Sequence, residues 1–550
     1  MLWRDISRAL GFYCWVLLIP LAIPTCIAIF CDWIVGPGVY PQPPSAVAFL
    51  ITMLVCALIG FLLWFFGLKS TGRLYRREGL LLVLIVYFLT PALSGLPFIL
   101  NKTFTNPLDA YFESVSAYTT TGASIMHAKE YNPITGEEVP ISLNFCINSD
   151  VTYTYYGTIK PVLGKDGEVQ LTGIEAVSLS LIFWRSFMQC LGGGGIVVLF
   201  VAILPALGVG GKILYQTEVT GPTKESIFPR IKETASLLWK VYLGLIALET
   251  ILLMFTNERV SLFDAMTVSF STLSTGGFCP KNANIAAYDS GVTSFIVMVF
   301  MILGSINFSL YFFCMRGKLA RLNDPELKVF LLIILTAVLI GTWQLVGAPK
   351  DDITLVSQGA GNFSFLEALH YSAFQLISAQ TSTGFATADY DIWPFSVQVL
   401  MLILFFVGGM AGSTAGGIKV VREQTFIKIL LNKIESIFRP DTVREFRLGE
   451  TIINTRTATT ILCFFMIVGG LTVLGTFAFV LDGIDPETAL STAGCMINNV
   501  GLAFRAGGPA HSFAFLNTLG KLSSIFLMIA GRLEFYALLI AFVPGFWRKA

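Results

Sequence analysis

"AYTTTGASI", residues 117–125, sets three threonines, a glycine and further small polar residues directly after a run of apolar ones. So many hydroxyls and so much exposed backbone have no place on a lipid-facing helix. The formula returns as "STGGF" at 274–278 and "TSTGF" at 381–385, and in a worn form as "NNVGL" at 498–502. Each copy follows a short apolar or amphipathic stretch: "LDAYFESVSAY" (108–118), "LFDAMTVSFSTL" (262–273), "LEALHYSAFQLISA" (366–379) and "PETALSTAGCMI" (486–497). Segments of roughly 10–14 residues have the length of a re-entrant piece and are too short to cross a bilayer. The unit is a long helix, a half-helix, a Gly-bearing polar turn and a second long helix, and it occurs four times.

Composition agrees with that reading. Of the 550 residues 55% are hydrophobic and 13% charged, with a mean hydropathy of +0.73, which a soluble domain does not tolerate. Stretches such as "WVLLIPLAIPTCIAIF" (15–30) and "VAFLITMLVCALIGFLLWFF" (47–66) reach or approach the roughly 20 apolar residues that cross a hydrocarbon core as helix. Ten long candidates follow: 9–30, 44–68, 78–100, 179–207, 235–256, 290–315, 327–347, 394–434, 457–481 and 518–546. The first is read as a span and not a cleaved signal, because no small-x-small cleavage site precedes Cys31. Net charge is +1, so bulk electrostatics imply neither nucleic acid nor an acidic partner; membrane lipid is the surrounding medium. The ten cysteines lack metal-like spacing and read as small core residues. The disulfide state of Cys146 and Cys279 stays open.

Lys and Arg collect in alternate connections: Arg4 and Arg8; Lys69, Arg73, Arg76 and Arg77; Lys212, Lys224, Arg230 and Lys232; Arg316, Lys318, Arg321 and Lys328. Lys428, Lys433, Arg439, Arg444, Arg447 and Arg456, with terminal Arg548 and Lys549, fall on the same side. The positive-inside rule makes that side, and both termini, cytoplasmic. The expected fold class is an all-α polytopic membrane protein of four membrane-pore-membrane repeats plus two extra N-terminal helices. The expected division is 1–76 (two spans), 77–211 (repeat 1), 212–320 (repeat 2), 321–440 (repeat 3, with a broken second helix) and 441–550 (repeat 4). Residues 127–175, rich in Tyr, Asn, Gly and Asp, read as an extracytoplasmic insert in repeat 1 with a small hairpin.

Non-helical backbone at membrane depth is tolerated where it is buried in protein or lines a watery cavity. Four such turns entering from one face surround an axis. A pivotal glycine in each, Gly122, Gly276, Gly384 and Gly501, reaches φ values that a side chain penalises and turns carbonyls toward that axis. The hydroxyls of Thr120, Thr121, Ser274, Thr275, Ser382 and Thr383 satisfy neighbouring backbone groups. A ring of carbonyl oxygens can replace the hydration shell of a bare cation, and each half-helix aims its partially negative C-terminus at the ring. Close helix packing by small residues accounts for one such turn, not for four copies on one face.

A second candidate site is "GGMAGSTAGGIKVVR", 408–422, where Gly408, Gly409, Gly412, Gly416 and Gly417 with Ser413 and Thr414 interrupt the eighth span. A break rich in glycine cannot be a stable lipid-facing helix and reads as a flexible gate under the ring; helix-packing glycines are the competing reading. Lys419 stands at its inner edge, where an interfacial anchor is the alternative. "LGGGGIVVLF" (191–200) reads as a packing kink. Arg532, near the middle of the last span, is by default functional. It either raises the barrier to cations or braces the glycine loop, the alternative being an ion pair; Glu534, two residues on, is badly placed for one. His127, His370 and His511 are scattered and form no metal set. "GVGGKI" (208–213) departs from a phosphate-binding loop, and hydrolase motifs are absent. A polytopic membrane enzyme is therefore disfavoured, and no catalytic residue or cofactor is expected.

Together the four turns, "WRSFMQCLGGGGIVVLFVAILPALGVGG" (184–211), the 408–422 loop and "GRLEFYALL" (531–539) resemble the TrkH branch of the Trk/Ktr/HKT superfamily of potassium transporters, over nearly the whole chain. The two extra N-terminal spans favour that branch over KtrB. The resemblance implies a pseudo-fourfold axis, a homodimer with one pore per subunit, and a cytoplasmic ring of a TrkA-like nucleotide-binding partner in a bacterial inner membrane. Carried over by motif, the filter lies at Thr120, Thr121, Gly122 and Ala123; Ser274, Thr275, Gly276 and Gly277; Ser382, Thr383, Gly384 and Phe385; and Asn498, Asn499, Val500, Gly501 and Leu502. The gate is the 408–417 loop with Arg532, and potassium is the substrate. All four pivots are glycine here, whereas sodium-transporting plant relatives can carry serine at the first, which favours potassium. Two departures are "LGGGG" in place of Gly-Gly-x-Gly and the long 127–175 insert. A channel-like subunit of a potassium-pumping ATPase, related in fold, is the alternative within transport. Channel-like and proton- or sodium-coupled passage both remain open at this stage.

Overall fold

The computed structural model describes residues 3–36, 38–70, 75–132, 135–143, 151–164, 166, 168–195, 231–350, 361–438, 447–448, 451–452, 455–533 and 535–547, most of them helical. Arg73, Lys212, Lys224, Arg230, Arg439, Arg444, Arg548, Lys549, Cys146, Glu534, the 208–213 segment and the inner half of the 179–207 span lie outside the described residues. Among those described, six helices are long and apolar enough to cross a membrane: Trp3–Val35, Ala46–Phe66, Arg77–Leu100, Ser236–Thr256, Pro325–Leu345 and Ala458–Leu481. Their outward faces carry bare apolar side chains such as Phe255 and Trp343, more than four-fifths exposed, as lipid contact requires.

The N-terminal pair, α1 (Trp3–Ile29, continued by a π-helical turn Phe30–Val35) and α2 (Ala46–Phe66), packs through glycines. A Cβ on Gly11 would stand 2.8 Å from the Gly60 carbonyl oxygen, so the two backbones nearly touch. The Asp32 carboxylate accepts from the N–H groups of Ser45 and Ala46 at 2.6 and 2.7 Å, which caps α2.

After α3 (Arg76–Ser94) and the short α4 (Leu96–Leu100) comes the half-helix α5 (Pro107–Tyr118), then a turn, the insert, and α6 (Leu179–Gly193). The same succession recurs as α7 (Ile231–Thr256), α8 (Leu262–Leu273), α9 (Gly291–Gly304) and α10 (Phe308–Met315). A third pass gives α11 (Pro325–Leu345), α12 (Phe365–Gln380), α13 (Phe395–Val407) and α14 (Val420–Phe438). The last gives α15 (Thr455–Leu481), α16 (Pro486–Asn498) and α17 (Thr518–Arg532).

Two of the expected spans are corrected. The 290–315 segment is two helices bent by 94°: α9 stops at Gly304, and the Asn307 side chain accepts from Ser309 N–H at 2.9 Å to start α10 anew. The 518–546 segment ends as a continuous helix at Arg532, and Phe535 sits at φ 60°, a value that stops a helix of L-residues. Between α13 and α14 the helix is interrupted from 408 to 419. At Gly193 α6 also terminates, so the glycines there end a helix and do not merely kink one.

The insert holds more than one hairpin. Three two-stranded antiparallel ladders pair β1 (Glu130–Tyr131) with β2 (Glu138–Val139), β3 (Ile141–Leu143) with β4 (Tyr153–Tyr155), and β5 (Val162–Leu163) with β6 (Val169–Leu171). The Tyr153 hydroxyl donates to the Asp485 carboxylate, and its ring meets Phe515 edge-on with centroids 5.3 Å apart.

Candidate functional site

Each half-helix starts on a side-chain cap. Asn106 accepts from Leu108 N–H, Asp485 from Thr488 N–H, and Ser261 and Ser364 form reciprocal capping boxes with Asp264 and Glu367. The caps fix where each half-helix begins, and hence where its C-terminus delivers the turn.

All four turns share one backbone path. Thr120, Thr275, Ser382 and Asn499 have φ of 54°, 54°, 53° and 53°, and two residues later Gly122, Gly277, Gly384 and Gly501 have φ of 81°, 76°, 87° and 81°. The second pivot is therefore Gly277 and not Gly276, and the second turn runs Thr275, Gly276, Gly277, Phe278. "STGGF" offers two glycines, and only the later one takes positive φ. Ser274 then falls with Thr119, Thr381 and Asn498, at the half-helix end. Left-handed φ in β-branched threonine is strained by about 1–3 kcal/mol, so the packing around the turns has to hold it.

These turns close into a ring. A Cβ on Gly122 would collide with the Gly276 carbonyl oxygen, one on Gly277 with that of Thr383, one on Gly384 with that of Val500, and one on Gly501 with that of Thr121. Each pivot thus lies against the carbonyl preceding the next pivot, and the fourth returns to the first. Thr120, Thr121, Ser274, Thr275, Ser382 and Thr383 are all fully buried.

Hydroxyls brace the ring from behind. Thr119 and Thr121 share a hydrogen bond at 2.8 Å, as do Thr381 and Thr383; Asn499 Nδ2 donates to Thr121 Oγ1 at 2.9 Å and to the Met528 carbonyl at 3.0 Å. Behind the first two turns stands a buried ion pair that sequence reasoning missed. Arg185 Nε lies 2.7 Å from Glu113 Oε1, and its guanidinium stacks 3.4 Å over the Phe278 ring. Glu113 also accepts from Ile125 N–H at 3.1 Å, so each charge has its partners met, as a buried pair requires. A carboxylate on a half-helix 72 residues from its arginine leaves no local sequence signal.

The Gly-rich loop lies against the ring where the half-helices end. Gly416 N–H donates to Ser382 Oγ at 2.5 Å, Gly417 N–H to the Asn498 carbonyl at 2.9 Å, and Thr414 Oγ1 to the carbonyls of Leu273 and Gly304 at 2.8 and 2.9 Å. Gly408, Gly412 and Gly417 have φ of 69°, 76° and 70°, which explains glycine at those three places. Lys419 is buried and donates to the Ala415 carbonyl at 2.6 Å; it folds back on the loop and is no interfacial anchor. Arg532 donates to Thr120 Oγ1 at 2.9 Å, to the Thr414 carbonyl at 3.0 Å and to the Gly192 carbonyl at 2.8 Å. One guanidinium fork thereby ties ring, loop and α6. Among the described residues no carboxylate pairs with it. Glu326, which sequence reasoning also missed, accepts with one oxygen from both Ala411 N–H at 2.8 Å and Val421 N–H at 3.2 Å. Beside the loop is a cavity of about 400 Å³, lined among others by Trp239, Arg321, Glu326, Lys419 and Arg532.

His127 and His511 sit apart from this site, at the start of the insert and in the connection before α17. His127 Nδ1 is 3.3 Å from Ser512 Oγ. Burial, then the neighbouring His127, pushes His511 down to about 4; burial lowers His127 as well.

This geometry can be set beside known proteins. The family model described as TrkH, cation transport protein, matches residues 163–549. The Trk system potassium uptake protein TrkH of Salmonella typhimurium is 32% identical over 509 residues, covering 91% of this chain and 92% of its own. The TrkH of Vibrio parahaemolyticus is 29% identical with 100% of each chain covered, and Escherichia coli TrkG is 29% identical over 99% of each. The crystal structure of the potassium transporter TrkH from Vibrio parahaemolyticus superposes with a TM-score of 0.77 at 27% identity, with 100% of both chains covered. A ring of four glycine turns, the broken helices around it and these likenesses lead to one conclusion: the chain belongs to the TrkH family of cation transport proteins.

Proposed function

We propose that this protein takes up potassium across a bacterial inner membrane, passing the bare ion through the ring of four turns. The observation that carries the reading is the closed order of contacts, Gly122 to Gly276, Gly277 to Thr383, Gly384 to Val500 and Gly501 to Thr121. Four carbonyls brought together in this way can stand in for water around a monovalent cation, and four half-helix C-termini add negative potential. Family membership and the relatives' names support potassium as the ion.

The loop 408–419 is the gate, with Arg532 and Glu326 as its ties. One loop movement that released its contacts to Ser382, Asn498 and Leu273 would open or block the path beside the cavity. Both termini are cytoplasmic, the protein works as a homodimer, and a TrkA-like nucleotide-binding ring acts on it from the cytoplasmic side; these follow from the basic connections and from the family resemblance. The ion crosses by positioning and electrostatics alone, so the protein acts as a transporter and not as an enzyme.

The test is growth of an uptake-deficient bacterium on limiting potassium. The native chain restores growth, and a chain whose loop is shortened between Gly409 and Gly417 conducts faster or leaks. Failure of the native chain to rescue, with the protein present in the membrane, overturns the proposal.

A further inference from the structure

Gly276 occupies the position that Thr121, Thr383 and Val500 fill in the other three turns, and its φ is not left-handed, so its backbone would accept a side chain. The room is already taken: a Cβ there would lie 2.5 to 2.7 Å from the side-chain amide of Gln189. Gln189 comes from α6, is fully buried, and binds the turn at two points. Its Nε2 donates to the Gly276 carbonyl at 2.6 Å, and its Oε1 accepts from Phe278 N–H at 3.2 Å. A carbonyl can only accept and an N–H can only donate, so the amide has one possible orientation.

Among the described residues this device is present at one turn only. Gly192, Gly304 and Gly531 lie against the carbonyls of Tyr118, Leu273 and Ile497 respectively, which aligns α6, α9 and α17. Three residues before each glycine stand Gln189, Met301 and Met528, and both methionines are apolar and fully buried. Among the described residues no protein donor reaches the carbonyls of Thr121, Thr383 or Val500. Among the described residues the Gly276 carbonyl alone of the four shares its lone pairs with an amide N–H.

We propose that Gln189 is a specificity-determining positioning residue: it fills the place of the missing side chain in the second turn and holds one of the four ring carbonyls at weakened field strength. The inference rests on the filter reading above. A donor on a carbonyl oxygen opposes a cation on the same oxygen, so this quarter of the ring attracts a small ion less strongly than the other three. Weaker field favours the larger, more easily dehydrated ion, which is potassium over sodium.

The experiment reconstitutes the full chain in liposomes and measures the ratio of potassium to sodium flux. Gln189→Met, which copies the residue at the two aligned positions, lowers that ratio about fivefold, the factor carried by one ordinary hydrogen bond. Gly276→Thr alone abolishes flux, because the new side chain meets Gln189. The double variant Gln189→Ala with Gly276→Thr restores at least a third of it, since the turn then reads Thr-Thr-Gly like 120–122. If Gln189→Met does not reach the membrane, Gln189→Leu, which also removes the donor and adds no charge, gives the same reading. A ratio within twofold of native in these variants, or native flux in Gly276→Thr, overturns the inference. Gly384→Ala separates the two levels: if it loses selectivity while Gln189→Met keeps it, only the present inference fails, and if Gly384→Ala keeps native selectivity the filter reading fails with it.

Discussion

Glu326 offers the sharpest test of the gate. One carboxylate oxygen accepts from Ala411 N–H inside the glycine loop and from Val421 N–H at the start of α14, ten residues apart. Glu326→Ala leaves both donors without a partner beside a cavity that water can reach only partly. A hydrogen bond to a charged group is worth about 1.5–3 kcal/mol. Taking the lower value twice, and discounting for solvent reaching the cavity, the closed loop loses about 2–3 kcal/mol. Each 1.4 kcal/mol is tenfold, so the open population rises by roughly 30- to 150-fold while the closed form dominates. Glu326→Gln keeps an acceptor oxygen in place and loses only the charge, so its rise stays within about tenfold. The assay is rubidium-tracer uptake into proteoliposomes without any partner protein, with the size-exclusion profile as the check on folding. Equal uptake in native and Glu326→Ala protein, both folded, would refute the idea that this carboxylate holds the loop shut.

Further outcomes follow from other parts of the ring. Gly384→Ala places a Cβ on a residue at φ 87° and into the Val500 carbonyl, so potassium uptake falls more than tenfold, whereas Gly469→Ala, with nothing within 4 Å on α15, leaves uptake unchanged; the growth-rescue assay reads both. Arg532→Lys keeps the charge and loses the fork that reaches three acceptors, and flux rises about tenfold through a looser loop. If Arg532→Lys is native-like and only Arg532→Met is fast, the charge and not the bracing controls passage. In the connection before α17, the folded-state pKa of His511 lies below its unfolded value of about 6.5, so the neutral form is favoured by folding and stability is lost as pH falls through that value toward 4. With its partial exposure discounted, the loss at pH 5 is about 1 kcal/mol, read as a roughly fivefold drop in hydrogen-exchange protection near 511–515 relative to pH 7.5 and absent in His511→Asn.

Length and patterning made the half-helices legible, because a stretch of 12 to 16 residues between turn and cap has few other meanings in an apolar chain. The four turns were legible as small polar clusters, and the loop as a glycine run. The register of the second turn was not, since "STGGF" carries two candidate pivots and only the backbone path decides between them. The bend at 304–307 escaped for a different reason. A single Gly304 and the cap residue Asn307 make it, helped by Met410 N–H and Thr414 N–H donating to the carbonyls of Ser305 and Gly304, partners about a hundred residues away. Gln189, Glu113 and Glu326 share that obscurity: each is one ordinary polar residue whose meaning depends on a contact across the fold.

A circle drawn from a linear chain has one join that no peptide connects, here between the fourth turn and the first. Gly501 rests on the Thr121 carbonyl and Asn499 donates to Thr121. Phe513 N–H donates to the Ser124 carbonyl at 2.8 Å and Lys521 meets Asp109 at 2.6 Å. Tyr153, from the long insert, reaches across to the start of α16. The insert therefore works as a clasp, stitching the last quarter of the molecule to the first where covalent continuity gives no help.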